Sequence, residues 1–297
     1  MPLLLLLTAL GTMILTQAGG QSLEGVLDLH AHAGPDSVPR SIDALALAKL
    51  AHAKGFRGIV LKNHYEPTAS WAALARAQTP GLEIFGGIVL NRSVGGINPA
   101  AVEQMTRVYG SWGRIVWMPT FDAENHVKTV REPRPFVSIS RSGRLLGPVL
   151  QVLDVIAKYN LVLATGHSSP AESFMLIREA QKRQIRRIVV THAMVAPVSM
   201  SVEQMREAAE RGAMIEFVAN AVVGKSKSLT FERYAEAMRR VGYPNCILSS
   251  DLGQRDNPLH PDGLVEAFSG LRQAGVPPEE IERMAKYNPA RLLGLTQ

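Results

Sequence analysis

Five residues with metal-binding side chains each close a short apolar run: His30 and His32 in VLDLHAHAGPD, His167 in LVLATGH, His192 in RIVVTH and Asp251 in CILSSD. A neutral imidazole and a carboxylate are ligands for Zn²⁺ and similar divalent ions. Lys62 closes a further run, GIVLK, and adds a cation to the same class of position. A single histidine at a strand end is commonly a hydrogen-bonded structural residue, and His-x-His alone is a weak motif. Four histidines and an aspartate at the ends of four different runs form a much more specific pattern. Alternate side chains of a strand share one face, so Asp28, His30 and His32 are expected to point the same way. Burying unpaired polar groups costs roughly 1–3 kcal/mol each, so a partner is expected opposite them. For the two histidines a divalent metal ion, shared among the four histidines and the aspartate, is the expected partner. Asp28 reads as a buried acceptor that supports the pair, and Gly34-Pro35 as the turn that leads the chain away.

The elements that must position these residues alternate along the chain. Apolar runs at 25–32, 58–62, 84–91, 114–120, 161–167, 187–192, 213–220 and 246–251 read as strands, separated by helical segments. Ser169-Pro170-Ala171-Glu172 supplies an N-cap, a proline in the first turn and a glutamate three residues on, and Ser201-Val202-Glu203-Gln204 opens a second helix similarly. SIDALALAKLAHAKG ends at a C′ glycine, Gly55. Near-continuous apolar strands, each followed by a helix, imply a parallel sheet covered on both faces. Eight such units predict a single-domain (β/α)₈ TIM-type barrel over residues 24–297, with an open doubly wound sheet as the alternative. No glycine-rich phosphate loop follows the first strand, so a dinucleotide fold has no support. In a barrel the C-terminal strand ends converge on one mouth, where active sites sit. Only His52 of the eight histidines falls clearly in a helix, and His64, His126 and His260 fall in loops after strands. The longest irregular stretch, 121–145, contains a small hairpin in FVSISRSGRLLG and has the length of a lid.

The 297-residue chain is 46% hydrophobic and 20% charged, enough for a large core, and its net charge is +6. Lysines and arginines are scattered, which argues against nucleic acid as a partner and is compatible with an anionic small molecule. Residues 1–18 are apolar, carry no charged side chain and end in a small-x-small pattern, as a cleaved signal peptide would. Export to the periplasm or medium is therefore the expectation, with a cytoplasmic location as the alternative. No later run is long enough to span a membrane. Cys246 is the sole cysteine, so no intrachain disulfide is available. A homo-oligomer remains open.

The motifs LDLHAH, ATGH, VVTH and SSD, at the first, fifth, sixth and eighth strands, resemble those of the amidohydrolase superfamily of metal-dependent barrels. The ending YNPARLLGL is similar to the closing segment of many members, so the resemblance runs from about residue 25 to 297. It looks closest to amidohydrolase-related proteins of unknown function, and it brings a site without a substrate. The resemblance implies that His30, His32 and Asp251 bind one divalent ion, Zn²⁺ in the first place. His167 and His192 would bind a second ion or help hold the first and the substrate. Many two-metal members bridge their ions with a carboxylated lysine on the fourth strand. RIVWMPTFD offers no lysine there, so Lys62 is either a carboxylated bridge in an unusual place or a plain cation. Asp251 would act as base and then acid, with His192 stabilising a developing oxyanion, in hydrolysis of an amide, cyclic amide, lactone or ester. The rivals are a metal-dependent decarboxylase or carbon–carbon lyase, a phosphoesterase and a non-catalytic metal-binding barrel. Substrate-facing candidates in the loops are His64, Tyr65, Asn91, Arg92, Asp122 and His126. Arg92 hints at an acidic substrate, because a guanidinium grips a carboxylate bidentately.

Overall fold

The computed structural model describes residues 22–296, so the signal peptide expected over 1–18 lies outside the described residues. Eight parallel strands lie side by side in chain order. They are β1 (Leu27–His32), β2 (Gly58–Lys62), β3 (Glu83–Val89), β4 (Gly113–Trp117), β5 (Val162–Ala164), β6 (Ile188–Val190), β7 (Met214–Val218) and β8 (Cys246–Ser249). The ring closes between β8 and β1 through backbone bonds Asp251 N→His30 O (2.8 Å) and His32 N→Leu252 O (3.0 Å). The result is the single-domain (β/α)₈ barrel that the alternation predicts, rather than an open sheet.

Two apolar layers form as the strand period requires. One face of each strand packs on the surrounding helices, in a cluster containing Val26, Ile59, Leu61, Val116, Leu163, Ile215 and Leu248. The other face fills the barrel with Leu27, Leu29, Val60, Phe85, Trp117, Val162, Val189 and Ile247. Ala290, Leu292 and Leu293, from the closing NPARLL helix, join this inner cluster and plug the end of the barrel away from the site. The helix starts follow the residues that signal them. Ser169 and Ser201 each form reciprocal capping boxes, with Glu172 and Gln204 respectively. Asp43 accepts from Leu45 N and Ala46 N at the start of the first helix.

Strand β1 departs from simple alternation. Its register against β2 slips between Asp28 and Ala31, so three steps on β1 face two on β2. A bulge of this kind breaks the alternation of faces. Leu27 and Leu29 therefore face the barrel interior while Ala31, like Val26, faces the helices. His30 and His32 point inward beyond the bulge, and Asp28 lies on the opposite face. The expectation that all three polar groups share one face is corrected by this one extra residue. Asp28 instead accepts from His30 N (3.1 Å) and Ser250 N (2.9 Å), and so ties the bulge to the end of β8.

The stretch 121–145 is more ordered than a loop. It contains a helix, Glu124–Val130, and the expected hairpin, Ser140–Arg141 paired with Arg144–Leu145. His126 accordingly stands on a helix. Among the described residues no helix is long and apolar enough to cross a membrane.

Candidate functional site

The inner face above the apolar plug is polar. Glu216, in the middle of β7, is 4% exposed, and its carboxylate gathers three donors. These are His30 Nδ1 (3.1 Å), Ser249 Oγ (2.6 Å) and the backbone N–H of His192 (2.9 Å). Although burial opposes its charge, the facing His30 holds Glu216 down at about 2. The sequence reading did not single out Glu216. Its signal was present as the one charged residue in the buried run MIEFV.

Above Glu216, the Nε2 atoms of His30 and His32 lie 3.0 and 3.1 Å from the same oxygen, Asp251 Oδ1. His32 Nδ1 lies 3.1 Å from the carbonyl oxygen of Lys62, which can only accept, so His32 carries its proton on Nδ1. Burial holds the His32 imidazole well below its ordinary range, so the ring is neutral. Its Nε2 lone pair then faces a carboxylate oxygen, an acceptor against an acceptor. Burial and the His30 charge act in opposite senses on Asp251, and His30 wins, keeping it ionised well below the usual carboxylate range. A cation among these three atoms resolves the conflict, and the ligating atoms all lie within 4.8 Å of one another. The donor set, two imidazoles and a carboxylate, is one that Zn²⁺ accepts.

His30 shows the same need from the other side. Burial lowers its affinity for a proton, but Asp251 and Glu216 outweigh that and raise it to about 9. Lys62 Nζ also stands 2.7 Å from His30 Nε2, so a protonated His30 sets two donors against each other. Lys62 is 1% exposed, with its amine 5.2 Å from the centre of the Trp117 ring, and burial lowers it to about 8.

The remaining expected ligands come from beyond the strand ends. Strands β5, β6 and β8 leave the ladder early, and His167, His192 and Asp251 follow them by two or three residues. His192 (φ 27°) and Asp251 (φ 51°) adopt left-handed backbone, a conformation that non-glycine residues take at a cost and that clusters at functional sites. Gly166 (φ 61°) is required before His167, because a Cβ there would meet the Met118 carbonyl oxygen at 2.2 Å. His192 Nδ1 is buried without a hydrogen-bond partner. Burial, first of all, lowers the His192 imidazole to about 4. Its ring centre lies 4.9 Å from that of His167, whose Nδ1 is 2.9 Å from His126 Nδ1. Asn125, next to His126, donates to the carbonyls of His167 and Pro197 (both 3.0 Å) and bolts the 124–130 helix to the loops after β5 and β6.

These groups open onto a cavity of about 480 Å³ lined by His32, Lys62, His64, His126, His167, His192 and Asp251, with Arg40 and Phe121 on its walls. His64 stacks on His32 with centroids 4.7 Å apart and bonds through Nδ1 to Thr120 Oγ1 (2.8 Å). Tyr65, Asn91, Arg92 and Asp122 do not line this cavity. Asn91 is fully buried, and its amide is used on His64 O, Thr120 Oγ1 and Thr120 N. Asp122 accepts from Arg92 N and Arg134 Nη1. The Arg92 side chain is exposed and lines a separate hollow beside Gly95, Gly96 and Phe136. The arginine that does reach the cavity, Arg40, was not foreseen.

The architecture recurs among solved structures. One is 2,6-dihydroxybenzoate decarboxylase from Rhizobium (13% identity, TM-score 0.58, covering 91% of this chain and 99% of that one). Another is an amidohydrolase from Pseudomonas aeruginosa (12% identity, TM-score 0.57, 91% and 95%). A third is the phosphotriesterase homology protein from Escherichia coli, complexed with phosphate in its active site (14% identity, TM-score 0.61, 92% and 99%). The fold expected from the amidohydrolase resemblance is the fold found, and at these identities the likeness concerns the fold alone. No curated protein matches the sequence. Residues 25–216 match the family described as a family of unknown function (DUF6282), and the chain belongs to that family.

Proposed function

We propose that the chain is a metal-dependent hydrolase acting on an amide, cyclic amide, lactone or ester of a small molecule. One observation carries the reading. The Nδ1 atoms of His30 and His32 are tied to Glu216 and the Lys62 carbonyl, and both Nε2 atoms meet at one oxygen of Asp251. His30, His32 and Asp251 would hold the ion, Zn²⁺ in the first place, with His167 and His192 as ligands of a second ion or as aids to the first. A bound divalent ion supplies Lewis acidity and makes water a stronger acid at neutral pH.

The chain's own groups do the rest. The free oxygen of Asp251 is the base that takes a proton from the attacking water and returns it to the leaving group. His192, whose Nδ1 has no protein partner, would stabilise the oxyanion that develops. Lys62 stands beside His30 as a cation, or, once carboxylated, as a bridge between two ions. His64 and His126 form the walls against which the substrate is held.

The test is to strip the protein of metal, reload it with Zn²⁺ and screen small amides, cyclic amides, lactones and esters. Asp251→Asn in metal-replete protein should lower turnover by roughly 10²–10⁴-fold. Full activity in that variant would refute the role of Asp251, and failure of the wild type to retain metal would refute the reading as a whole. A second reading, metal-dependent decarboxylation, is supported by the similarity to a decarboxylase barrel and by the grouping of His30, His32 and Asp251, with His167 lining the same cavity. Release of carbon dioxide from carboxylated substrates, without hydrolysis of the screened bonds, would select it.

A further inference from the structure

We propose that Arg40 is the anion anchor of the cavity, so that the substrate carries a carboxylate or an equivalent oxyanion. The proposal rests on the hydrolase reading for where the chemistry occurs, and on its own geometry for what is bound. Arg40 lies in the loop after β1, and its side chain is only 6% exposed. A guanidinium removed from water needs partners for its donors. Its Nε donates to Asp36 Oδ2 at 2.7 Å, and among the described residues this is the only side-chain bond that Arg40 makes.

Asp36 does not saturate it. The contact is made through a single oxygen, and the other, Oδ1, is buried without a partner. The edge of the guanidinium formed by its two terminal amino groups is therefore left over, and Arg40 lines the cavity beside His32, Lys62, His64 and Asp251. Two parallel N–H donors match the two oxygens of a carboxylate.

The mounting is rigid. Arg40 forms an antiparallel bridge with Gln254, and Ser41 N donates to Gly253 O at 3.0 Å. Gln254 Nε2 in turn donates to the Asp251 carbonyl at 2.8 Å. The segment that carries the anchor is thus hydrogen-bonded to the segment that carries Asp251, which limits the distance between the gripped anion and the reacting group. Asp36, behind the guanidinium, orients it from the Nε side. An anion that accepts from both unused amino groups gains charge-assisted hydrogen bonds that a neutral isostere lacks.

The experiment uses the full-length, metal-free protein, titrated calorimetrically with benzoate and with its neutral isostere benzamide. Wild type should prefer benzoate. Arg40→Gln should weaken benzoate by roughly 10–100-fold, the worth of charge-assisted hydrogen bonds, and leave benzamide unchanged. Arg40→Lys, which keeps the charge and loses the fork, should recover only part of the difference. Equal benzoate affinity in wild type and Arg40→Gln, or no preference for benzoate in the wild type, overturns the proposal. Should Arg40→Gln not fold, the lysine variant decides, and unchanged benzoate affinity there overturns it equally. Because metal is absent, the two readings fail separately. Protein that binds benzoate through Arg40 but retains no Zn²⁺ sinks the hydrolase, whereas an active Zn²⁺ hydrolase indifferent to Arg40→Gln sinks the anchor.

Discussion

Replacing Glu216 with glutamine tests how the candidate metal site is held in place. Glu216 touches neither the cavity nor the point where the ligands meet, yet it accepts from His30 Nδ1, Ser249 Oγ and His192 N. A glutamine is nearly the same size, so the barrel interior stays filled. It carries only one oxygen, however, and its amino group must point at one of the three donors. Leaving that donor unsatisfied costs about 1–3 kcal/mol. His30 also loses the negative charge that sets its tautomer and raises the basicity of its Nε2. Removal of such a supporting carboxylate weakens metal binding by roughly 10–100-fold. The assay is competition between the protein and a chelator for Zn²⁺, wild type against Glu216→Gln, with circular dichroism to confirm the fold. Affinities equal within about threefold would refute the claim that Glu216 orients His30. A variant whose fold is lost would be replaced by Ser249→Ala, which removes one competing donor and should leave Zn²⁺ affinity almost unchanged.

Two further outcomes concern stability. Gly166→Ala forces a methyl group to 2.2 Å from the Met118 carbonyl oxygen at φ 61°; because the obstacle is backbone, the variant should melt well below wild type and retain less Zn²⁺ through displacement of His167, and an unchanged melting curve would show that the loop yields freely. His64 and His260 are buried, and burial, the first cause for both, holds them below the ordinary imidazole range. The unfolded chain takes up their protons near pH 6.5, so folding stability should fall as pH drops below about 6.5, by at most about 1.4 kcal/mol per pH unit for each group. Urea unfolding of metal-free protein between pH 7.5 and 5 checks this, and His260→Leu should flatten the slope.

The barrel was legible because its strands are uniformly apolar and its helices carry explicit starts such as Ser169 and Ser201. The converging residues were legible for a related reason: a polar side chain that ends an apolar run must find a partner at the mouth where the strands converge. What escaped the sequence depended on contacts between distant segments. Alternation alone puts Asp28 on the face of His30 and His32, because it says nothing of a bulge, which arises from the pairing of β1 with β2. Arg40 lies eight residues past His32 in a loop without period, and only its bridge to Gln254 brings it to the cavity. Asn91 and Asp122 are loop residues that carry good substrate-binding groups, but those groups are consumed in holding the loops. Glu216 differs from these, since a lone charge inside MIEFV could have been read as a buried acceptor awaiting donors.

The closure of the ring has a consequence for how the molecule comes into being. His30 and Asp251 meet through both side chain and backbone, across the seam where the first and last strands join. His32 and Asp251 stand 219 residues apart in the chain. No partly synthesised chain lacking the last barrel strand can present the complete set, and the histidine pair waits through the synthesis of seven further barrel strands for its carboxylate. An ion captured there would act as a rivet through the seam, because a ligand that binds only the folded form adds its binding free energy to stability. Supply of metal and durability of the fold then become one variable, and a cell short of the ion would hold a looser ring rather than merely an idle one.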